Sequence, residues 1–483
     1  MEIIGSSKGH VICIPFPAQG HITPMLQFAK LLYSKGFNIT FLNTIYNHNR
    51  FLKSLGQHSL DGLPGFHFES ISDGLQLSPN DDATQDIPTL CRSMNSTCHD
   101  SFRDLIARLN EDGPPVTCIV SDGALYFAVE VAQEVGIPDV VFWTMSGCGF
   151  MGYVHFRTLV DRGLVPLLDA TYLTNGYLDT QVELQGLRNV RLKDLPTFIR
   201  TTDPDDYMLN YMQKAVQISS QATAIFLNTF EALEEDVLNT LSTMEQFPPI
   251  YSVGSIDLLL DQLIPDVNNS AIRSICSSLW KEQPECMEWL DSKEPNSVVY
   301  VNFGSITVMS QEEFVEFAWG LANSKKYFLW VIRPDIVMGN SSITLPKEFV
   351  VETKDRGMLA SWCPQKEVLK HESIGGFLTH SGWNSTLESI CGGVPMLCWP
   401  FFAEQQTNCR YSCVDWGIGM EIESDVKRTA VERMVRVLME ESEGMEMRRR
   451  AKEWKCKAED AAKPGGSSYK NFNKLVNEIS LKD

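Results

Sequence analysis

The chain has 483 residues, 43% hydrophobic and 21% charged, which excludes a mainly disordered polymer and is long enough for two or three domains. Forty-one Lys and Arg against 61 Asp and Glu leave a formal net charge of −20, a surface that repels nucleic acid and anionic membranes. Thirteen cysteines occur without a CxxC pair or a His/Cys cluster of zinc spacing, so reduced thiols in a cytoplasmic protein are expected rather than a disulfide framework.

The first ten residues, MEIIGSSKGH, lack the basic and apolar regions of a signal peptide, and no window offers the run of about 20 apolar residues that a membrane-spanning helix needs. From there strand-like and helix-like segments alternate. His10–Pro17 is a short apolar run, Thr23–Gly36 has helical spacing and ends in Gly, and Phe37–Thr44 and Phe66–Ile71 read as strands. A long helix is expected over Ile87–Asn110, a buried strand over Val116–Asp122, a helix over Leu125–Val135 and a strand over Ile137–Thr144. The second half repeats the scheme, with strands at Ser297–Gly304, Tyr327–Arg333, Met358–Trp362, Ile374–His380 and Pro395–Pro400, and a helix at Gln311–Asn323. Such alternation predicts parallel sheets covered on both faces, hence an α/β fold of two tandem doubly wound domains. The expected divisions are a first domain over 1–254, a linker over 255–282 rich in Asp, Asn and Ser, a second domain over 283–460, and a C-terminal helix over 461–483.

Two motifs are weak. Gly147–Gly152 fits G-x-G-x-x-G but follows the fifth strand rather than the first, so close helix packing is the better account of its small residues. Asp203–Pro204–Asp205 could hold a divalent metal, yet in TTDPDDYMLN it reads as a helix start with capping acids.

Two constellations are stronger. In PFPAQGHITPML, His21 lies just after the first strand, at the edge where open α/β sheets bind ligands. Asp122 ends the fourth strand. In the strand order 3-2-1-4-5 these two strands are neighbours, which makes His21 and Asp122 a general base with an orienting carboxylate. The second constellation runs from Trp362 to Gln405. A helix starting near Trp383 puts Asn384 and Ser385 at its N-terminus, where unsatisfied N–H groups favour a pyrophosphate. Glu388, one turn later, can accept from both hydroxyls of a ribose, and Trp362 can stack on a base or pack in the core.

At these residues the chain resembles the plant UDP-dependent glycosyltransferases of the GT-B type. The box from Trp362 to Gln405, PFPAQGH, and Ser121–Gly123 carry the resemblance, which covers nearly the whole chain. It implies two Rossmann-like domains facing across a cleft, inversion at the anomeric carbon and no metal cofactor. By motif match His21 is the base and Asp122 its partner. Trp362 stacks on uracil, the Cys363 backbone and Gln365 contact the uridine, and Glu388 binds ribose. Ser305, His380, Asn384 and Ser385 hold the phosphates, while Thr144, Trp383, Glu404 and Gln405 contact the sugar. A closing Gln, as at Gln405, goes with glucose. Ser381 stands where Cys is usual, and Glu404 replaces the commoner Asp. YLTNGYLDT and TTDPDDYMLN are similar to the clade acting on cyanohydrins, cytokinins, iridoids and diterpene alcohols, whereas QVELQGLRNVRL departs from it.

The resemblance thus implies transfer of glucose from UDP-glucose to a hydroxyl of a small lipophilic plant metabolite, such as a terpenoid, iridoid or cyanohydrin, by a monomer. An apolar acceptor pocket from Met145, Phe150, Met151 and Tyr153 is equally open to core packing. The competing readings are a nicotinamide-dependent oxidoreductase using Gly147–Gly152 and a non-catalytic small-ligand-binding protein.

Overall fold

The computed structural model describes residues 8–76, 85–264, 271–338 and 345–480. They divide into two compact units: one of 1–192, 198–280 and 460–483, the other of 193–197 and 281–459.

The first unit holds a seven-stranded parallel sheet in the order β3-β2-β1-β4-β5-β8-β9. Its strands are β1 (His10–Ile14), β2 (Asn38–Thr44), β3 (Phe66–Ile71), β4 (Val116–Asp122), β5 (Asp139–Trp143), β8 (Ala224–Leu227) and β9 (Ile250–Ser252). β6 (Gln181–Leu184) and β7 (Leu187–Arg191) form a separate antiparallel hairpin. Every residue of β1 and β5 is buried, as expected of strands covered on both faces. The order reverses between β1 and β4, which pair in parallel from Val11–Cys118 to Ile14–Ser121. That is the switch point at which the carboxyl ends of strands leave a crevice.

The region expected as a linker is instead part of this unit where it is described. Ile256–Leu263 is a helix whose Ile256, Leu259 and Leu260 are buried in the same apolar cluster as Phe28 and Phe226. Ile272, Ile275 and Leu279 join that cluster. Gln19 fixes them from the helix start: its Nε2 donates to the Ser277 carbonyl at 2.6 Å and its Oε1 accepts from Leu279 N at 2.7 Å. Of the Asp, Asn and Ser that suggested a linker, several lie in 265–270, beyond the described residues, while Ser255 and Ser278 are buried in this unit. The helix Ser467–Ile479 also packs here, with Phe472, Leu475 and Val476 in the cluster and the Phe472 ring edge-on to Phe28.

The second unit holds a six-stranded parallel sheet in the order β12-β11-β10-β13-β14-β15. The strands are β10 (Val298–Asn302), β11 (Tyr327–Val331), β12 (Gly357–Ala360), β13 (Ile374–Thr379), β14 (Met396–Cys398) and β15 (Gly419–Glu421). The Gln311–Ser324 helix starts with a reciprocal capping box, Ser310 with Glu313, and buries Phe314, Phe317 and Leu321 against the sheet. The order again reverses at a pair of central strands, β10 and β13.

Candidate active site

His21 lies in the first turn of the Gln19–Ser34 helix, directly after β1. Asp122 closes β4 and Thr144 follows β5, so three adjacent strands deliver all three side chains to one sheet edge. His21 Nδ1 lies 2.7 Å from Asp122 Oδ2 and 2.9 Å from Thr144 Oγ1. A carboxylate can only accept, so the proton sits on Nδ1 and Nε2 is the unprotonated, basic nitrogen of the ring. Asp122 is 1% exposed, and its other oxygen accepts from Ala124 N at 3.0 Å, which holds the carboxylate fixed. The His21 side chain is 28% exposed and its ring rests against Phe16, so it is both held and open to a substrate. Thr144, expected at the sugar, is thus placed on the His21 ring.

The second unit gathers its residues at the carboxyl ends of β10, β12 and β13. Gln365 opens a helix after β12 and ties the group together. Its Oε1 accepts from Tyr300 Oη at 3.1 Å and from Asn302 Nδ2 at 2.8 Å. Its Nε2 donates to Ser385 Oγ at 2.9 Å and to Glu388 Oε2 at 2.6 Å. Ser385 and Glu388 share one face of the helix Trp383–Gly392. That helix starts at Gly382, which offers no capping side chain, so its first N–H groups are presented as at an anion site. Asn384 is half-buried at this helix start, Ser305 half-buried in the turn after β10, and Trp362 half-buried after β12.

His380 is wedged between two glycines. A Cβ on Gly304 or on Gly382 would lie 2.4 Å from its ring, and Gly304 has φ of +70°. Burial first, and then the nearby Arg333, push the His380 imidazole down to about 3, so it is a neutral hydrogen-bonding group rather than a cation. Cys363 is buried with its thiol 3.2 Å from Tyr300 Oη, and burial pushes that thiol far up.

Several expectations change. The Trp383 indole is 3% exposed and packs against Trp416, so its side chain belongs to the core and only its backbone is at the helix start. The Gln405 Oε1 is occupied by Phe401 N at 2.8 Å and Phe402 N at 3.1 Å, shaping the loop before it, while Glu404 is half-buried in the same loop. Phe150 packs on Trp143 and Phe247, and Tyr153 on Phe156 and Phe198, with Met151 fully buried, which makes all three core residues. Met145 is 7% exposed. Tyr300 and Asn302 escaped sequence reasoning because VVYVN reads as a buried strand; their i, i+2 spacing, which puts both on one face, was the available signal.

Both weak motifs have structural accounts. The N–H groups of Gly147 and Cys148, where a dinucleotide phosphate would have to sit, each donate at 2.7 Å to the buried Glu234 carboxylate. Asp206 caps the Tyr207–Ser219 helix through Leu209 N, and Asp203 Oδ1 accepts from Asp205 N.

Two doubly wound parallel sheets, one carrying a His–Asp pair and the other an anion-ready helix start beside a carboxylate, fit a nucleotide-sugar transferase of the GT-B class, to which the similar proteins point. The family model described as "UDP-glucoronosyl and UDP-glucosyl transferase" matches residues 82–447, and the chain belongs to that family. It is 57% identical to a 7-deoxyloganetin glucosyltransferase of Gardenia jasminoides, with 98% of each chain covered. It is 56% identical to an (R)-mandelonitrile beta-glucosyltransferase of Prunus dulcis, with 99% of each covered. Among solved structures, Os79 of O. sativa in complex with UDP superposes with a TM-score of 0.80 at 28% identity, covering 97% of this chain and 100% of that one. The chain is a UDP-glycosyltransferase.

Proposed function

We propose that the chain transfers glucose from UDP-glucose, with inversion, to a hydroxyl of a small lipophilic plant metabolite. The observation that carries this is the 2.7 Å contact of His21 Nδ1 with buried Asp122, which keeps the Nε2 lone pair for a proton. The acceptor O–H gives its proton to Nε2 as its oxygen attacks the anomeric carbon. The bond from that carbon to the phosphate oxygen breaks, and UDP leaves. Asp122 stabilises the imidazolium that forms, and Thr144 steadies the ring.

On the donor side, Trp362 stacks on uracil, Cys363 backbone and Gln365 meet the uridine, and Glu388 takes the ribose hydroxyls. His380, Ser305, Asn384, Ser385 and the first N–H groups of the Trp383–Gly392 helix receive the diphosphate. Charge-assisted hydrogen bonds of roughly 1.5–3 kcal/mol each are strong enough, in number, to stabilise the leaving group without a metal. Glu404 and the Gln405 amide nitrogen contact the sugar, since the Gln405 oxygen is held by the loop.

Support for the acceptor class comes from relatives named for 7-deoxyloganetin and (R)-mandelonitrile, an iridoid and a cyanohydrin. A cytosolic monomer is the reading for the cell: the thirteen cysteines are all free thiols, and among the described residues no helix is long and apolar enough to cross a membrane. Incubation with UDP-glucose and a panel of terpenoid, iridoid and cyanohydrin alcohols, in excess chelator, should release UDP and give products heavier by one hexose. UDP release only with added Mn²⁺ or Mg²⁺, or none with any alcohol, would overturn the proposal.

A further inference from the structure

Three cysteines from a strand and the two helical turns that follow it meet in the second unit. Cys398 ends β14, Cys409 lies in the Gln405–Arg410 helix, and Cys413 lies in the π-helical turn Tyr411–Asp415 that follows. Their Sγ atoms all lie within 4.8 Å of one another, with Cys409 and Cys413 4.0 Å apart. A tetrahedral zinc centre with Zn–S near about 2.3 Å sets its sulfurs about 3.8 Å apart, so the three thiols need only a slight contraction to hold an ion.

The surroundings suit such an ion. An α-helical continuation would keep the i→i+4 ladder; the π-helical turn widens it locally at Cys413. Gly419 faces the cluster, and a Cβ there would lie 3.2 Å from Cys413 Sγ and 3.3 Å from Cys398 Sγ. Ser381 is fully buried beside Cys398, and its Oγ has no nitrogen or oxygen partner. It is a candidate fourth ligand, or a donor to a bound thiolate. Cys398 and Cys409 are buried, while Cys413 is half-buried, which gives an entry from solvent.

We infer that Cys398, Cys409 and Cys413 form a binding site for a soft divalent d10 cation, zinc or cadmium. The C-x10-C-x3-C spacing is not one of the common zinc patterns, which is why sequence reading excluded it. Binding displaces the thiol protons to solvent, leaving three thiolates on a 2+ ion and a net charge of −1. Because Cys398 precedes and Cys409 follows the loop 399–405, a bound ion ties the two ends of that loop together. The three thiols are not themselves donor-site residues, although the loop they bracket carries Glu404 and Gln405 and Ser381 adjoins His380.

The test uses the full-length reduced chain with exposed Cys276 and Cys456 changed to Ser, so that surface thiols do not compete. Cadmium(II) is titrated while thiolate-to-metal charge-transfer absorbance and proton release are followed, and zinc(II) is then used in competition. Saturation at one ion per chain, with proton release and a raised melting temperature, is expected. Cys413→Ser and Cys398→Ser each remove a thiolate ligand and should weaken binding by at least the roughly tenfold that loss of an outer-shell partner costs. No charge-transfer band, or binding equally strong in Cys413→Ser and Cys398→Ser variants that still bind UDP, would overturn the inference. UDP binding is measured in parallel, so failure of the metal site is distinguishable from failure of the donor site.

Discussion

Replacing Asp122 by Asn or by Ala tests what the carboxylate does. Asp122 uses two oxygens: one accepts from Ala124 N at 3.0 Å, the other meets His21 Nδ1 at 2.7 Å. In Asp122→Asn the amide oxygen must stay on the Ala124 N–H, because two donors cannot face each other. The amide NH2 is then aimed at Nδ1, so the imidazole proton moves to Nε2, where the base should be. Turnover should fall by about 10²–10⁴, the full range for a lost general base. In Asp122→Ala no donor is forced on the ring, and Thr144 Oγ1, 2.9 Å away, can accept the Nδ1 proton. What is lost is a charge-assisted bond of about 1.5–3 kcal/mol, a slowing of roughly tenfold to 150-fold. The order should therefore be wild type, then Ala, then Asn. Turnover with saturating UDP-glucose and a responsive acceptor measures it, with circular dichroism to verify folding. A folded Asn variant faster than the Ala variant would refute the tautomer argument.

His21→Ala should lower turnover by about 10²–10⁴ yet leave UDP affinity unchanged by calorimetry, since the proposed nucleotide residues belong to the other unit. Glu388→Ala removes the carboxylate that holds Gln365 at 2.6 Å and should weaken UDP binding at least about tenfold; unchanged affinity would mean that Glu388 is not a ribose ligand. His380, held down to about 3, stays neutral in the folded chain, whereas the unfolded chain protonates it below 6.5. Its share of stability is present above the unfolded value and is lost as pH falls toward the folded one, by up to about 1.4 kcal/mol per pH unit. His380→Gln should make the acid limb of urea-denaturation stability shallower, and an identical limb would show that the ring does not contribute to it.

The strand pattern was readable because parallel strands buried on both faces leave plain apolar runs, as in HVICI and VTCIVSD. β9 and β15, three residues each, are too short to leave any periodic signal, and the helix Ile45–Leu55 was hidden behind its polar outer face. The placement of His21 beside Asp122 followed from strand order alone. The thiol cluster and the Gln365 network did not, because each depends on which side chains of a strand and of neighbouring helices converge. Trp383 and Gln405 were found by position, but which of their atoms face inward is decided by packing with Trp416 and with the 401–402 backbone.

The helix Ser467–Ile479 has a consequence for biosynthesis. Phe472 completes an aromatic cluster with Phe28, which itself packs on Phe142 and Phe226, and Asn471 donates to the Ser252 carbonyl of the edge strand β9. The first unit therefore contains residues from near both ends of the polypeptide. On the ribosome its opening segments emerge early and Ile256–Leu263 can cover part of the Phe28 and Phe226 cluster, but the part covered by Phe472, Leu475 and Val476 waits for the segment after the second unit. That part stays open to water through synthesis of the second unit, and apolar surface exposed in this way favours aggregation during elongation.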